Sequence, residues 1–362
     1  MPGMKEELSS VILKDITLPS GAHFDTLTQA YAKYGEISAD GGNVILVCHA
    51  LTGSHRLAGE KIEGLPEPWW EPIVGDGHAV DTHKYCVICF NNLASPYGST
   101  SPLSVNPADG RRWAMRFPIL SPRDTAYAQR AALTAMGIKT LYAVIGGSLG
   151  GMIALEHAVS FPETTPRCAL IAAPDRLYPQ AIAFNSVQRQ SIMGDPEWKN
   201  GDYEGAGPAN GLAAARMLAM ITYRSEQSFT NRYMREVARG TTSDWSGEFQ
   251  VESYLHHHGE AIVKRFDANC YLYLTRMMDL HDIGAGRGGL DAAWKNFSGG
   301  RLLGLGISSD MLFPNWQVEE AVRAAAKNGV CAYYEELESD NGHDSFLIDF
   351  DQVDDYLRTF LQ

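Results

Sequence analysis

A serine between glycines is the residue whose surroundings point most directly to chemistry. Ser148 lies in Gly146-Gly147-Ser148-Leu149-Gly150, which matches the pattern Gly-x-Ser-x-Gly. Residues 141–145 before it have strand character, and residues 152–159 after it have helical character. At such a motif a sharp strand-to-helix turn lifts the serine Oγ above the sheet, and only small neighbours tolerate the strained backbone. We therefore interpret Ser148 as a nucleophile.

The same glycine-rich turn is also compatible with phosphate binding, because the first N–H groups of a helix attract anions. A dinucleotide site, however, would have its Gly-x-Gly-x-x-Gly early in the chain. Here the motif follows several predicted strands and has a serine at its apex, which favours the nucleophile.

A serine hydroxyl needs a base to remove its proton, so this interpretation requires a histidine and an acid downstream. Asp310 follows the apolar strand 301–307, and His343 follows a strand that ends near residue 337. Ligands of open α/β sheets bind beyond the carboxyl ends of the strands, where these side chains would meet Ser148. The order serine, acid, histidine is that of the α/β-hydrolase fold. We predict that fold, with Ser148, Asp310 and His343 as its catalytic triad.

The acid and the histidine each have an ordinary alternative. Asp310 could cap a helix over residues 311–317, and His343 could be a surface histidine. Asp340 is a second candidate for the acid, but it is close to His343 in sequence and follows the wrong strand. The joint occurrence of Asp310 and His343 in the expected order favours the triad.

Two other groups of potential ligands are weaker. Cys86 and Cys89 are three residues apart within a strand and therefore point to opposite faces of the sheet. The run His256-His257-His258 lacks the spacing of three or four that places two ligands on one helix face. We expect buried packing for the cysteines, a solvated face for the histidines, and no metal site.

Strands alternate with helices through residues 1–174, and the alternation resumes over residues 298–362. Between them, residues 175–297 have aromatic-rich helical patterns, such as 211–223 and 251–278, with no convincing strand. The chain thus predicts an α/β core, a mostly parallel sheet flanked by helices, with residues 175–297 inserted as a helical lid subdomain.

The composition, 362 residues of which 45% are hydrophobic and 20% charged, is that of a folded globular protein. A net charge of −13 argues against a nucleic acid or an anionic membrane as partner, so an anionic substrate needs a local basic patch. Residues 1–10 lack the apolar core of a secretory signal. The sequence also has no uncharged apolar stretch of about 18 residues, the length that a membrane-spanning helix needs. With six scattered cysteines, these features favour a soluble protein of the reducing cytoplasm.

Several segments near the predicted triad occur together in one known family. They are HALTG at 49–53, NLASPYGSTSP at 92–102, GGSLGGM at 146–152 and GHD at 342–344. The likeness continues through the insertion, in the segments 184–190, 211–223, 249–255 and 266–271. Over nearly its whole length the chain resembles the homoserine O-acetyltransferase family.

The resemblance implies a ping-pong reaction of methionine biosynthesis. Ser148 takes an acetyl group from acetyl-CoA, a co-substrate rather than a bound cofactor, and passes it to the side-chain hydroxyl of L-homoserine. The resemblance also implies that the backbone N–H groups of Leu51 and Leu149 stabilise the oxyanion.

By the same resemblance, Arg216 and Tyr223 hold the homoserine carboxylate, and Asp344 binds the ammonium group. Arg216 and Tyr223 are seven residues apart, about two helical turns, which places them on one helix face. From the residues alone, Arg216 could equally be a surface residue of an amphipathic helix, and Tyr223 a half-buried packing residue.

Other substrates and activities stay open. Ala94-Ser95-Pro96 and Ser101-Pro102 stand where many bacterial relatives have Gly-Gly-Cys and Thr-Gly-Pro, so serine is a second candidate acceptor, and succinyl-CoA is a second candidate donor. A plain esterase or thioesterase would have the same triad, and an inactive binding module would have the same fold.

The insertion also predicts assembly into a homodimer. Its helices are rich in aromatic residues and methionines, including Met277 and Met278, and exposed apolar patches of this kind mark interfaces. Members of the family are commonly dimers. The alternative is that these residues pack the lid's own core.

Overall fold

The structure is a computed structural model that describes residues 6–362. The strands in this part of the chain are β1 (Glu6–Thr17), β2 (His23–Tyr34), β3 (Val44–Cys48), β4 (Cys86–Phe90), β5 (Ala143–Gly147), β6 (Arg167–Ile171), β7 (Val237–Arg239), β8 (Glu248–Phe249), β9 (Arg301–Ile307) and β10 (Cys331–Leu337). The helices are α1 (Pro122–Ala135), α2 (Leu149–Ser160), α3 (Pro179–Met193), α4 (Ala209–Tyr223), α5 (Glu226–Tyr233), α6 (Gln250–Arg265), α7 (Ala268–Asp279), α8 (Leu290–Asn296), α9 (Asn315–Lys327) and α10 (Phe350–Leu361).

Eight of the strands form one sheet in the order β1-β2-β4-β3-β5-β6-β9-β10. Strand β2 pairs antiparallel with β1 and β4, whereas all pairs from β4 across to β10 are parallel. The central strands β3, β4 and β5 are buried along their whole length, as strands covered on both faces are. The predicted fold class is confirmed.

Hydrophobic cores lie on both faces of this sheet. Along β3, Val44 and Cys48 pack in one core with residues of α1, α2 and α9. Ile45 and Val47 point the other way, into a second core that α10 and residues 57–80 complete. The two cores hold the carboxyl ends of the parallel strands at one edge, where the loops that follow β3, β5, β9 and β10 meet.

The chain between β6 and β9 forms α3 to α8, so the insertion is mainly helical, as expected. Two details differ from the prediction. Strands β7 and β8 form a short antiparallel hairpin, too short for sequence periodicity to indicate. The helical run 251–278 is two helices, because the Asp267 side chain accepts a hydrogen bond from the Cys270 N–H at 2.9 Å and caps the start of α7. The boundaries at residues 175 and 297 stay a prediction.

The prediction also missed strand β1, which pairs with β2 along the edge of the sheet. Three of its apolar residues, Val11, Ile12 and Leu13, are consecutive, and most of its other residues are exposed, so the regular alternation that indicates a half-buried strand is absent. Of the residues 1–10 that lack a secretory signal, the first five lie outside the described part, and the others begin β1. No helix within residues 6–362 combines the length and apolarity needed to cross a membrane.

Met277 and Met278 are not surface residues of the insertion. Both side chains are buried, and the Thr125 hydroxyl of α1 donates a hydrogen bond to the Met277 Sδ at 3.5 Å. The expectation that these methionines form an exposed patch is therefore wrong. Helix α7 uses them to attach the insertion to the core.

Candidate active site

Ser148 occupies a strained turn between β5 and α2. Its backbone has φ 55° and ψ −127°, a conformation that is costly for a residue with a Cβ. A Cβ on Gly146 would lie 2.1 Å from the Gly150 carbonyl oxygen, and a Cβ on Gly150 would lie 2.0 Å from the Cys48 carbonyl oxygen. Neither position can hold a larger residue, so the glycines of the motif are what allows the serine to project from the sheet.

The structure brings Ser148, His343 and Asp310 together in one hydrogen-bonded chain. His343 Nε2 lies 2.9 Å from Ser148 Oγ, and His343 Nδ1 lies 2.6 Å from Asp310 Oδ2. All three side chains are buried. This is the geometry that a serine triad requires; the catalytic roles themselves stay predictions.

Asp310 both caps the turn that follows it and holds His343, the two roles that the sequence allowed for it. Its Oδ1 accepts hydrogen bonds from the N–H groups of Leu312 and Phe313, at 2.8 and 2.9 Å, while Oδ2 faces the imidazole. The turn after β9 thus fixes the carboxylate in the orientation that holds His343. Asp340 is exposed, and its backbone carbonyl accepts a hydrogen bond from the Ser225 hydroxyl.

The electrostatics of His343 favour a proton on the imidazole. Burial by itself lowers the pKa of His343, but the charge and hydrogen bond of Asp310 and the charge of Asp344 outweigh it, so the pKa is raised above 6.5. Because Asp310 accepts the Nδ1 proton, Nε2 is left free to receive the proton of Ser148.

The predicted oxyanion donors lie on either side of the serine. Leu149 is the first residue of α2, so its N–H has no carbonyl partner within the helix. The Ala50 carbonyl accepts hydrogen bonds from the Gly53 N–H at 3.1 Å and from His49 Nδ1 at 2.8 Å. Since N–H and C=O point in opposite directions across a trans peptide, these bonds turn the Leu51 N–H away from them, and Leu51 lines the cavity at Ser148.

His49 is a positioning residue that our reading of the sequence did not single out. Its Nε2 accepts a hydrogen bond from the Asn92 N–H at 2.9 Å. The ring proton is therefore on Nδ1, which donates it in the hydrogen bond to the Ala50 carbonyl. Burial lowers the pKa of His49 to about 4, so the ring stays neutral. A polar residue directly after the buried strand β3 was the available signal.

A cavity of about 210 Å³ opens above the triad. Its lining includes the predicted binding residues Arg216, Tyr223 and Asp344 together with Ser148 and His343. The rest of the lining is Ala50, Leu51, Thr52, Gly53, Trp69, Arg265, Phe346 and Leu347. The guanidinium of Arg216 lies 5.5 Å from the centre of the Tyr223 ring, so both face the cavity from α4 as their spacing predicted.

Opposite charges face each other across this cavity. Burial raises the pKa of Asp344, although Arg224, His343 and Arg216 act to lower it. Arg224 Nε lies 3.9 Å from Asp344 Oδ2. The sequence interpretation missed Arg224 and also Arg265, which lines the cavity and donates a hydrogen bond to the Thr52 carbonyl at 2.9 Å. Both are basic residues at the end of a helix, where sequence offers no reason to expect a site.

The cysteines and histidines that we considered as weaker ligand candidates do not line the cavity. Cys86 packs in the core on one face of the sheet and Cys89 in the core on the other, as predicted. His256 and His257 are exposed, and His256 Nδ1 lies 2.7 Å from Glu248. The expectation of a solvated histidine face fits these two residues, whereas His258 packs against Tyr254.

Site and fold together define a class of protein. A serine at a strained elbow, bonded to a histidine and an aspartate at the carboxyl edge of a mostly parallel sheet, is the arrangement of α/β-hydrolase-fold enzymes with a serine nucleophile. Residues 43–350 match the family model of the alpha/beta hydrolase fold. The homoserine O-acetyltransferase of Moorella thermoacetica is 46% identical over 348 residues, which are 95% of this chain and 93% of that one.

The chain belongs to the homoserine O-acetyltransferase family, which confirms the resemblance. The crystal structure of homoserine O-acetyltransferase from Bacillus anthracis superposes with a TM-score of 0.93 at 29% identity, covering 99% of this chain and 98% of that one. The structure of esterase E22 is also similar, with a TM-score of 0.91 at 26% identity, covering 99% and 100% of the two chains.

Proposed function

We propose that this protein transfers an acetyl group from acetyl-CoA to the side-chain hydroxyl of L-homoserine, through an acetyl-Ser148 intermediate, as a step of methionine biosynthesis. One observation carries the proposal. The cavity that exposes the Ser148-His343 pair also presents the Arg216 guanidinium and the Asp344 carboxylate. These two groups complement the carboxylate and ammonium of an amino acid, which an esterase of simple acetyl esters does not need.

In the first half-reaction, His343 Nε2 takes the proton of Ser148 Oγ as that oxygen attacks the thioester carbonyl carbon. The resulting oxyanion accepts hydrogen bonds from the N–H groups of Leu51 and Leu149. The tetrahedral intermediate then breaks its C–S bond, and the departing coenzyme A sulfur takes the proton from His343. The products are free coenzyme A and acetyl-Ser148.

In the second half-reaction, the homoserine hydroxyl gives its proton to His343 Nε2 and attacks the acetyl carbonyl. Collapse of this second intermediate breaks the bond to Ser148 Oγ, which recovers a proton from His343. Arg216 and Tyr223 hold the acceptor carboxylate and Asp344 its ammonium, so that the side-chain hydroxyl reaches the acyl-enzyme. Arg224, 3.9 Å from Asp344, helps to keep that carboxylate ionised.

Hydrolysis is the second candidate function, because the likeness to esterase E22 extends over the whole chain. Mass spectrometry of the products separates the candidates when acetyl-CoA and succinyl-CoA are each offered with homoserine and with serine. We expect O-acetylhomoserine as the main product. Free acetate as the main product in the presence of either amino acid would favour an esterase, and O-acetylserine would change the acceptor.

We also propose a homodimer that forms through the insertion. Met234, Val237 and Trp245 are exposed apolar residues at the end of α5 and in the β7–β8 hairpin, and clustered exposed apolar residues mark interfaces. Light scattering at micromolar concentration is the test, and a mass of 39.7 kDa would contradict the proposal.

The six unpaired cysteines support a location in the reducing cytoplasm.

A further inference from the structure

Two segments of the chain flank the helices α3 to α7 of the insertion and lie side by side. Residues 174–177 lead into α3, and residues 281–287 follow α7. Two backbone hydrogen bonds of 2.8 and 3.1 Å join them, from the Leu177 N–H to the His281 carbonyl and from the Ile283 N–H to the Asp175 carbonyl. We call these two paired segments the neck of the insertion.

A buried glutamate fastens the neck to the core. Glu156 lies on α2 and is 2% exposed. Its Oε2 accepts hydrogen bonds from Arg123 Nε on α1 at 3.2 Å and from Arg287 Nη2 in the neck at 2.8 Å. The same two guanidinium groups hold the backbone of the neck. Arg123 Nη1 donates to the Ala285 carbonyl and Arg287 Nη1 to the Ile283 carbonyl, each at 2.8 Å.

The proposed mechanism gives Glu156 no chemical step. It is eight residues after Ser148 on the helix that begins at the nucleophile, which places it about 12 Å along the helix axis. A buried ion-pair cluster is also a costly way to stabilise a fold, because charges lose their hydration and apolar side chains of similar volume often stabilise as well. What oriented charges add is one defined arrangement of the elements that they join.

The elements joined by Glu156 carry the two halves of the proposed active site. Helix α2 begins directly after Ser148, and the insertion carries Arg216 on α4. A displacement of the neck would move Arg216 relative to the acetyl-serine, and an error of about 1 Å in such a position can cost about 100-fold in rate. It would also admit water to the cavity. Acylation uses catalytic groups of the core alone, so it should depend less on the neck.

We infer that Glu156 is a positioning residue that sets the insertion over Ser148 and thereby decides whether the acetyl group passes to the amino-acid acceptor or to water. The inference rests on the proposed function and adds to it the part of the fold that controls the fate of the acetyl-enzyme. Glu156 acts through Arg123 and Arg287 and does not line the catalytic cavity.

A simpler role for Glu156 is to stabilise the fold. Removal of one partner from a buried ion pair leaves the other charge uncompensated and is destabilising. A residue with only this role lowers the unfolding temperature when it is replaced. Well below that temperature, however, the folded molecules would still divide the acetyl group between acceptor and water in the wild-type ratio. The ratio of transfer to hydrolysis therefore separates positioning from stability.

The experiment forms the acetyl-enzyme with acetyl-CoA, adds homoserine, and measures O-acetylhomoserine and free acetate. The variants are Glu156→Gln and Arg287→Lys; the lysine keeps the charge but cannot reach both Glu156 and the Ile283 carbonyl with one planar group. The control is Asp354→Asn, the same change from carboxylate to amide within the core. Asp354 on α10 accepts a hydrogen bond from the Ala79 N–H at 2.6 Å.

We expect the ratio of O-acetylhomoserine to acetate to fall by about tenfold or more in Glu156→Gln, with a raised KM for homoserine. Arg287→Lys should change both in the same direction by less. Coenzyme A release, and every property of Asp354→Asn, should stay within about twofold of the wild type. A wild-type ratio in Glu156→Gln, or an equal shift in Asp354→Asn, overturns the inference. If Glu156→Gln does not fold, a wild-type ratio in Arg287→Lys overturns it.

Hydrogen exchange gives a second readout that does not depend on the reaction. The amides of Leu177 and Ile283 donate the two bonds across the neck, and they should exchange faster in Glu156→Gln without a matching change in the central strand β5. Unchanged exchange at the neck would also overturn the inference. If the wild type forms no O-acetylhomoserine, the proposed function fails, and the exchange rates still show whether Glu156 fixes the neck.

Discussion

Ser148 depends on its neighbours for both position and reactivity. Gly146 and Gly150 permit the turn that exposes its hydroxyl, and the imidazole of His343 lies 2.9 Å from Oγ. Asp310 in turn fixes the imidazole through a 2.6 Å bond and is itself held by two backbone N–H groups. Each of these dependences can be removed by one substitution.

Replacement of Asp310 by asparagine should slow acylation by about 10⁴-fold while the fold survives, because the amide cannot hold the required tautomer of His343. The asparagine Oδ1 can still accept the hydrogen bonds from Leu312 and Phe313. Stopped-flow measurement of coenzyme A release checks this prediction. Asp340→Asn is the matched control at an exposed position, and a larger loss in the control would assign the acid role to Asp340.

The rate of acylation should depend on the protonation of His343. Only the neutral imidazole accepts the Ser148 proton, so activity should fall as the pH is lowered through the pKa of His343, at a midpoint above 6.5. Asp344→Asn removes a negative charge that raises this pKa, and its midpoint should therefore lie at lower pH than that of the wild type. Rates of coenzyme A release across the pH range, measured without acceptor, provide the test. An unchanged or higher midpoint in the variant would contradict the role given to Asp344.

The core and the insertion contribute different groups of residues to the proposed active site. The turns that follow β3, β5, β9 and β10 hold the residues that we propose as nucleophile, base, acid and oxyanion donors. Helix α4 of the insertion supplies Arg216 and Tyr223, and the Arg216 guanidinium reaches the core at Thr52 Oγ1, 3.5 Å away. The two half-reactions should therefore respond differently to a change on α4.

Replacement of Arg216 by alanine should raise the acceptor KM and slow deacylation by homoserine, at a cost of about 2–4 kcal/mol for a desolvated charge pair. Acylation of Ser148 should largely survive. Arg216→Lys should recover the loss only in part, since an ammonium cannot form the planar bidentate contact of a guanidinium. Single-turnover kinetics separate the two phases, with Arg232→Ala on α5 as the control. Equal damage to both phases would mean that Arg216 serves the donor or the lid's structure.

The elements that periodicity can describe were predicted well. Strand 301–307 and the helix that ends at Tyr223 agree with the structure, because a continuous buried run and a 3.6-residue pattern are local signals. Strand β1 and the β7–β8 hairpin lack such a signal. The contacts of His49, Arg224 and Arg265 depend on which loops meet in space, and that information is not contained in any one segment of the chain.

At the scale of the whole molecule, a strongly acidic chain proposed to act on an anionic donor needs its basic groups in one place. The boundary between core and lid provides them, since Arg216, Arg224 and Arg265 lie around the catalytic cavity. In the proposed mechanism, this boundary must also shield the acyl-enzyme from water, which a transferase requires more than an esterase does.

Both half-reactions of the proposed mechanism pass through Ser148, so its replacement should remove all transferase activity. Ser148→Ala should abolish acetyl transfer, by about 10⁶-fold, and should leave the thermal unfolding temperature unchanged, because removal of one hydroxyl creates no large cavity. Coupled assays of O-acetylhomoserine formation and differential scanning calorimetry check the two halves of this prediction. Activity within about tenfold of the wild type would rule out the triad.

The proposed acetyl-Ser148 intermediate can be tested most directly by measuring the mass of the protein during turnover. Wild-type protein is mixed with acetyl-CoA alone, quenched and analysed by intact and peptide mass spectrometry; homoserine is then added to a second aliquot. We predict one acetyl group per chain, located at Ser148, which persists in water and disappears on addition of homoserine as O-acetylhomoserine forms. An unmodified Ser148, or an acetyl group lost equally fast with and without homoserine, would contradict the account.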